Sequence, residues 1–180
     1  KWFRHELVQR CIEDNLNNEE KRRYHNGAVE FYNSLREEKD GKSSYEISIG
    51  YAIHLHKAGK YEQAFIENKR LAEYGLKIGD LDVAERSYKR AIDDAERLGH
   101  IHDRMTCIYD MTQSVYFTWG RYDEAYKNYK DVLNYFRSIG DNRGQALVLR
   151  NTALIHQMKG QYDEALKLFE ESLVINRELG

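Results

Sequence analysis

Apolar side chains along this chain fall on helical faces, and no stretch alternates apolar and polar residues between turns as a strand would. Near the start, Phe3, Leu7, Val8, Cys11 and Ile12 share one face. A second helix, Asn18–Glu37, presents Tyr24, Ala28, Phe31, Tyr32 and Leu35. From there the turns are evenly spaced. Gly59, Gly79, Gly99, Gly120, Gly140, Gly160 and Gly180 stand 20 residues apart, except that 21 separate Gly99 from Gly120. Glycine ends a helix in the left-handed conformation without a Cβ clash. A helix of ~17 residues plus a short turn fills each interval, giving rods of ~25 Å. Asp80 and Asp141 follow two of these glycines as N-caps, and Asn17 with Glu20 and Ser43 with Glu46 form capping boxes. The chain has 0 Pro, so no segment is broken.

The full period is two helices. Gly120-Arg-Tyr-Asp-Glu-Ala125 recurs as Gly160-Gln-Tyr-Asp-Glu-Ala165, and around these Tyr129 matches Phe169 and Leu133 matches Leu173. Weaker copies are Gly79-Asp-Leu-Asp-Val-Ala84, with Tyr88 and Ala91, and Gly59-Lys-Tyr-Glu-Gln-Ala64. A small alanine early in the second helix admits a close partner, and the aromatic four residues on fills the gap beside it. Such a pair cannot bury its apolar stripe alone, so neighbouring pairs must stack. The expected fold is an all-α solenoid.

The recurring G-x-[YL]-[DE]-x-A…[YF] pattern resembles the tetratricopeptide repeat in a 40-residue form, over roughly Ser43–Gly180. The resemblance implies a right-handed superhelix of about nine helices in stacked antiparallel pairs. Ala52, Ala72 and Ala153 fit the small position of the first helix, whereas Gln113 departs from it. The stretch Glu62–Ile78 reads both as the second helix of one unit and as the first of the next, which predicts irregular stacking there. The first residues differ. His5-Glu-Leu-Val-Gln, with Glu20-Lys-Arg-Arg-Tyr-His25-Asn-Gly-Ala-Val-Glu-Phe-Tyr32, is similar to the end of the winged-helix segment and following helix of STAND-class signal-transducing NTPases. His54-Leu-His-Lys-Ala-Gly59 resembles a turn in the first repeats of that class. Residues 1–42 are therefore expected to form a helical pair closing a winged-helix region, and 43–180 the repeat array. The chain opens without Met and stops where another unit is due, so it reads as a piece of a longer protein.

Composition narrows the function classes. Charged residues make up 32% and hydrophobic ones 41%, with mean hydropathy -0.81 and 14 Tyr, too apolar and aromatic for a disordered tail. No apolar run reaches the ~20 residues that span a bilayer. Two cysteines, Cys11 and Cys107, form neither a disulfide framework nor a C-x-x-C zinc pair, consistent with a reducing, cytoplasmic setting. A net charge of -2 is too balanced for a general nucleic-acid binder. Lys21-Arg22-Arg23, the one basic run, follows Glu19-Glu20 and fits a solvated helix face.

Chemistry is sparse. His54 and His56 stand two apart, on different faces of a helix, so they cannot chelate one ion together. His100-Ile-His102-Asp103 lies at a turn and reads as a solvated loop. Cys107 lacks an identifiable base, and no G-x-x-x-x-G-K-[ST] or G-x-G-x-x-G is present. No catalytic residue, metal site or cofactor is expected.

What remains is the concave side. The resemblance implies that the first helix of each pair lines it, with Lys69 and Glu73 from one repeat. Cys107, Asp110, Ser114 and Phe117 come from the next, and Leu147, Arg150, Leu154, Gln157 and Met158 from the last. Charges to fix ends and register, with adaptable Phe117 and Met158, suit an extended peptide or helix of a protein partner. Asp110 falls between Lys69 and Arg150, against a simple carboxylate clamp. A ligand-sensing arm of a STAND-type NTPase is the alternative. Around Leu166, Phe169, Leu173 and Ile175 the last repeat presents an uncovered apolar face through which two copies could associate.

Overall fold

The computed structural model describes residues 15–37 and 45–180. Eight α-helices run through them: α1 Asn18–Glu37, α2 Tyr45–Lys57, α3 Tyr61–Ile78, α4 Leu81–Leu98, α5 Ile101–Met111, α6 Tyr122–Ser138, α7 Asn142–Met158 and α8 Tyr162–Leu179. A π-helical turn, Thr112–Tyr116, prolongs α5. No strand occurs among the described residues, and no helix there is long and apolar enough to cross a membrane. The expected face from Phe3 to Ile12 and the cap at Ser43 lie outside the described residues.

The turns form as their residues dictate. All seven spaced glycines take positive φ, between 69° and 89°. Asn17 and Glu20 close a reciprocal capping box: the Glu20 amide donates to Asn17 Oδ1 at 3.0 Å and the Asn17 amide to Glu20 Oε2 at 2.9 Å. Asp80 accepts from the Val83 amide at 3.1 Å and Asp141 from the Gly144 amide at 2.9 Å. Asp141→Ala is expected to cost ~1 kcal/mol through that lost cap. A thermal melt checks it, with a midpoint ~2–4 °C lower.

Packing follows the period-two pattern. Ala64, Ala84, Ala125 and Ala165 are buried at the start of their helices, and Tyr88 and Tyr129 lie buried four residues on. α3 departs from that rule, with Asn68 in place of the aromatic. A buried amide needs partners, and Asn68 Nδ2 donates to Asp94 Oδ2 at 2.9 Å. The other oxygen of Asp94 meets His56 Nδ1 at 2.6 Å, so α2, α3 and α4 share one polar knot inside the core. α3 packs on both α2 and α4, as its double reading predicts, and sits closest to α4. Successive second helices are laced side by side: Arg121 pairs with Glu85 and Arg137 with Glu171, each at 2.8 Å. The architecture is an all-α solenoid built from neighbour-to-neighbour contacts.

Two expectations are corrected. In α1 the buried stripe runs through His25 and Val29, while Phe31 and Tyr24 remain exposed. The cause is α2: His25 Nδ1 meets His54 Nδ1 at 2.9 Å, and the Tyr32 ring stacks on His54 and occupies the space over Gly50. The second correction concerns Gln113, which is exposed instead of filling the small position. Counting 13 residues forward from Gly59 or Gly140 gives Ala72 or Ala153, and counting 13 from Gly99 gives Thr112. Thr112 is fully buried, with its Oγ1 donating to Ile108 O at 2.6 Å and accepting from Asn128 Nδ2 at 3.0 Å. The 21-residue interval thus holds one extra residue, which the helix absorbs as a π-turn, with the Phe117 amide reaching back five residues to Thr112 O at 3.0 Å.

Candidate functional site

The π-turn decides which residues of α5 can share a surface with α3 and α7. After it, Ser114 and Phe117 match Leu154 and Gln157 at a 40-residue spacing. Before it the offset is 41 residues, so Cys107 matches Val148 and Tyr109 matches Arg150. Burial agrees: Cys107 and Val148 are both 0% exposed. Cys107 therefore belongs to the core and offers no surface to a ligand. Burial pushes its thiol up to about 12, which leaves it inert. Thr106 and Tyr109, which a uniform count passes over, take the positions of Leu147 and Arg150. The signal that could have found them is the single long interval between glycines.

The other expected residues remain accessible. Lys69, Asp110, Ser114, Phe117 and Leu154 are half-buried, and Glu73, Leu147, Arg150, Gln157 and Met158 are exposed. Phe117 is not wholly free, because its ring meets Tyr122 edge-on at 5.7 Å. Electrostatics tie the α3 and α5 residues together. Asp110 is raised above the usual carboxylate range, mainly by burial, with Lys69 opposing and Glu73 adding to the shift. Lys69 itself lies 5.6 Å over the Phe65 ring. Burial also raises Tyr109, against a hydrogen bond from Asn151 Nδ2 at 3.1 Å and the nearby charge of Arg150. Asn151 reaches Tyr129 Oη at 3.4 Å as well, which pins α5, α6 and α7 at one point. The face therefore carries a mixed-charge end around Lys69, Glu73 and Asp110, and a basic end at Arg150.

The described histidines have structural partners. His54 is buried against α1, and the half-buried His56 meets Asp94 of α4, on different sides of α2 as their spacing requires. His100 pairs with Asp103 at 3.5 Å, whereas His102 meets Tyr135 Oη at 3.3 Å. Among the described residues, no three His, Cys, Asp or Glu side chains gather in a metal-binding group.

Residues 114–178 match the tetratricopeptide repeat family model. The match starts on the residue after Gln113, where the 20-residue count resumes. Among solved structures, BtubC (BKLC) from P. vanneervenii is similar with a TM-score of 0.58 and 16% identity, over 92% of this chain and 76% of that one. This likeness shows the fold. Also similar is a putative kinesin light chain from Podosopora anserina with nearly identical TPR-like repeats, with a TM-score of 0.41 and 16% identity over 90% of this chain and 94% of that one. A search of the curated proteins finds no match.

Proposed function

We propose that this protein is an interaction module whose α3–α5–α7 face binds an extended or helical peptide segment of a protein partner and performs no chemistry. The observation that carries the reading is the electrostatic grouping of Lys69, Glu73 and Asp110 across α3 and α5, with Arg150 beside Tyr109 further along. A half-buried carboxylate with a raised pKa favours a cationic partner group, because a bound cation restores the solvation that burial removed. Arg150 offers a planar donor fork to a carboxylate. Toward the C-terminal ends of α5 and α7, Phe117 and Met158, with Leu154, offer apolar contact. The tetratricopeptide match over 114–178 supports a protein-interaction role.

The test is a peptide-display selection on the immobilised chain, repeated with Asp110→Lys and with Arg150→Glu. Selected peptides are expected to carry a basic residue toward one end and an acidic one toward the other. Each reversal should weaken binding by ~2–5 kcal/mol for a buried charge pair, and less if the pair stays at the rim. Unchanged affinity in both variants would sink the reading.

One contact favours a second reading, a ligand-sensing arm of a signalling NTPase. The two stretches that resemble the STAND-class junction touch each other through His25 and His54. The reading frame upstream of Lys1 in the parent gene tests this: a phosphate-binding loop followed by a winged helix supports it, and further repeats alone oppose it.

A further inference from the structure

α6, α7 and α8 border a cleft of about 360 Å³. Tyr126, Lys130 and Leu133 of α6, His156 of α7, and Glu164 and Lys167 of α8 are among the residues lining it. None of them belongs to the α3–α5–α7 face described above. The repeat supplies a comparison within the molecule, because the same junction occurs one unit earlier, between α4, α5 and α6. Glu85 and Lys89 stand there where Tyr126 and Lys130 stand here, 41 residues on. Likewise Tyr116, Arg121 and Glu124 correspond to His156, Gln161 and Glu164, 40 residues on.

The earlier junction pairs its charges internally. Lys89 Nζ meets Glu85 at 2.7 Å, and Arg121 meets Glu85 at 2.8 Å. The Arg121 guanidinium also donates to Glu124 at 2.7 Å and lies 4.2 Å from the Tyr116 ring centre. One carboxylate, Glu85, therefore serves two cations at once. At the later junction both central groups are exchanged. Tyr126 brings a ring in place of the Glu85 carboxylate and meets His156 edge-on at 5.5 Å. Gln161, in place of Arg121, sets its Oε1 2.8 Å from His156 Nδ1. Lys130 keeps the position of Lys89 but enters no ion pair, and neither do Lys167 and Glu164. The position thus holds a place for a carboxylate that the chain does not provide. Two ammonium groups against the single Glu164 favour an anionic group over a cationic one. The Tyr126 and His156 rings, with Leu133 and Leu168, supply walls for an apolar body. The cleft falls in the ~300–1,000 Å³ range that holds a small molecule.

We propose that this cleft binds a small aromatic carboxylate, whose acid group meets Lys130 as Glu85 meets Lys89 one unit earlier.

The experiment titrates the chain with 2-naphthoate at constant ionic strength, following amide resonances and binding heat. The uncharged 2-naphthamide serves as the matched ligand. Saturable shifts are expected at Tyr126, Lys130, His156 and Lys167, and the amide should bind at least ~10-fold more weakly than the acid. Lys130→Gln with Lys167→Gln should lose a similar factor. Tyr126→Glu with Gln161→Arg rebuilds the ion cluster of the earlier junction, and binding should then fall below detection. All four of these side chains are exposed, so circular dichroism should match the parent chain. The lysine pair carries the same readout should the rebuilt variant not fold. Lys127→Gln, exposed on the same helix but outside the cleft, should bind as the parent does. The proposal is overturned by shifts that do not saturate by ~10 mM. It is equally overturned by equal affinity for acid and amide, or by affinity unchanged in both double variants. Shifts centred on Leu166 and Leu173 would also overturn it, because they place the ligand on the uncovered face of α8.

Discussion

Replacing Tyr129 with alanine is expected to destabilise the chain by ~3–5 kcal/mol, the cost of truncating a large buried aromatic. Tyr129 is 1% exposed at the junction of α5, α6 and α7. Its ring lies 5.9 Å from that of Tyr109, and its hydroxyl takes a hydrogen bond from Asn151. Tyr129→Phe separates ring from hydroxyl. Asn151 keeps Tyr109 Oη at 3.1 Å and Gln113 Oε1 at 3.4 Å, so the phenylalanine variant should lose only ~0.5–1.5 kcal/mol. Urea denaturation measures both. Equal losses would mean that the hydroxyl, not the ring, joins the three helices.

The second large effect is at Gly75, where α3 and α4 come closest. A Cβ there would lie 2.9 Å from the Ala84 nitrogen, 3.0 Å from the Asp80 oxygen and 3.2 Å from the Ala84 Cα, all backbone atoms that cannot swing aside. Alanine gains ~1 kcal/mol of helix propensity over glycine, but forcing the helices apart costs ~1–3 kcal/mol. Gly75→Ala should therefore be neutral to harmful, and the bulkier Gly75→Val should lose more than ~2 kcal/mol. Gly27, in the middle of α1, has no described atom beyond its own helix backbone within 4 Å of its added Cβ. Gly27→Ala is expected to stabilise by ~0.5–1 kcal/mol. The same substitution with opposite signs at the two sites isolates packing from propensity, and a gain at Gly75 in thermal melts would contradict the close approach.

The helices were legible because their punctuation is local. A glycine past each helix end and an Asp or Asn at several starts act within a few residues, and the structure uses them at Gly59, Asp80 and Asp141 as the spacing predicts. Small alanines at Ala84 and Ala125 were legible for a related reason, since close helix approach admits little else. The binding face was harder to read. Which side of a helix points inward depends on its phase, and one extra residue turns that phase by ~100°. A uniform count therefore placed Cys107 on the surface and passed over Tyr109. Equally hidden was the pairing of His25 with His54, 29 residues apart, which sets the buried stripe of α1. No local pattern announces that a histidine on one helix will meet a histidine on the next, or that Asn68 will hold Asp94 where repeats elsewhere place an aromatic.

The π-turn at Thr112–Tyr116 also has a mechanical meaning. A rod whose hydrogen bonds step back four residues is stiff along its length, and a turn that steps back five is wider and a common place for a helix to kink. The solenoid is then not a uniform spring. It is expected to yield first at this turn, which lies in the chain between Lys69 and Asp110 on one side and Arg150 on the other. A partner that engaged both parts, as proposed above, would concentrate its strain at that turn, which makes the distance between Asp110 and Arg150 the dimension expected to give.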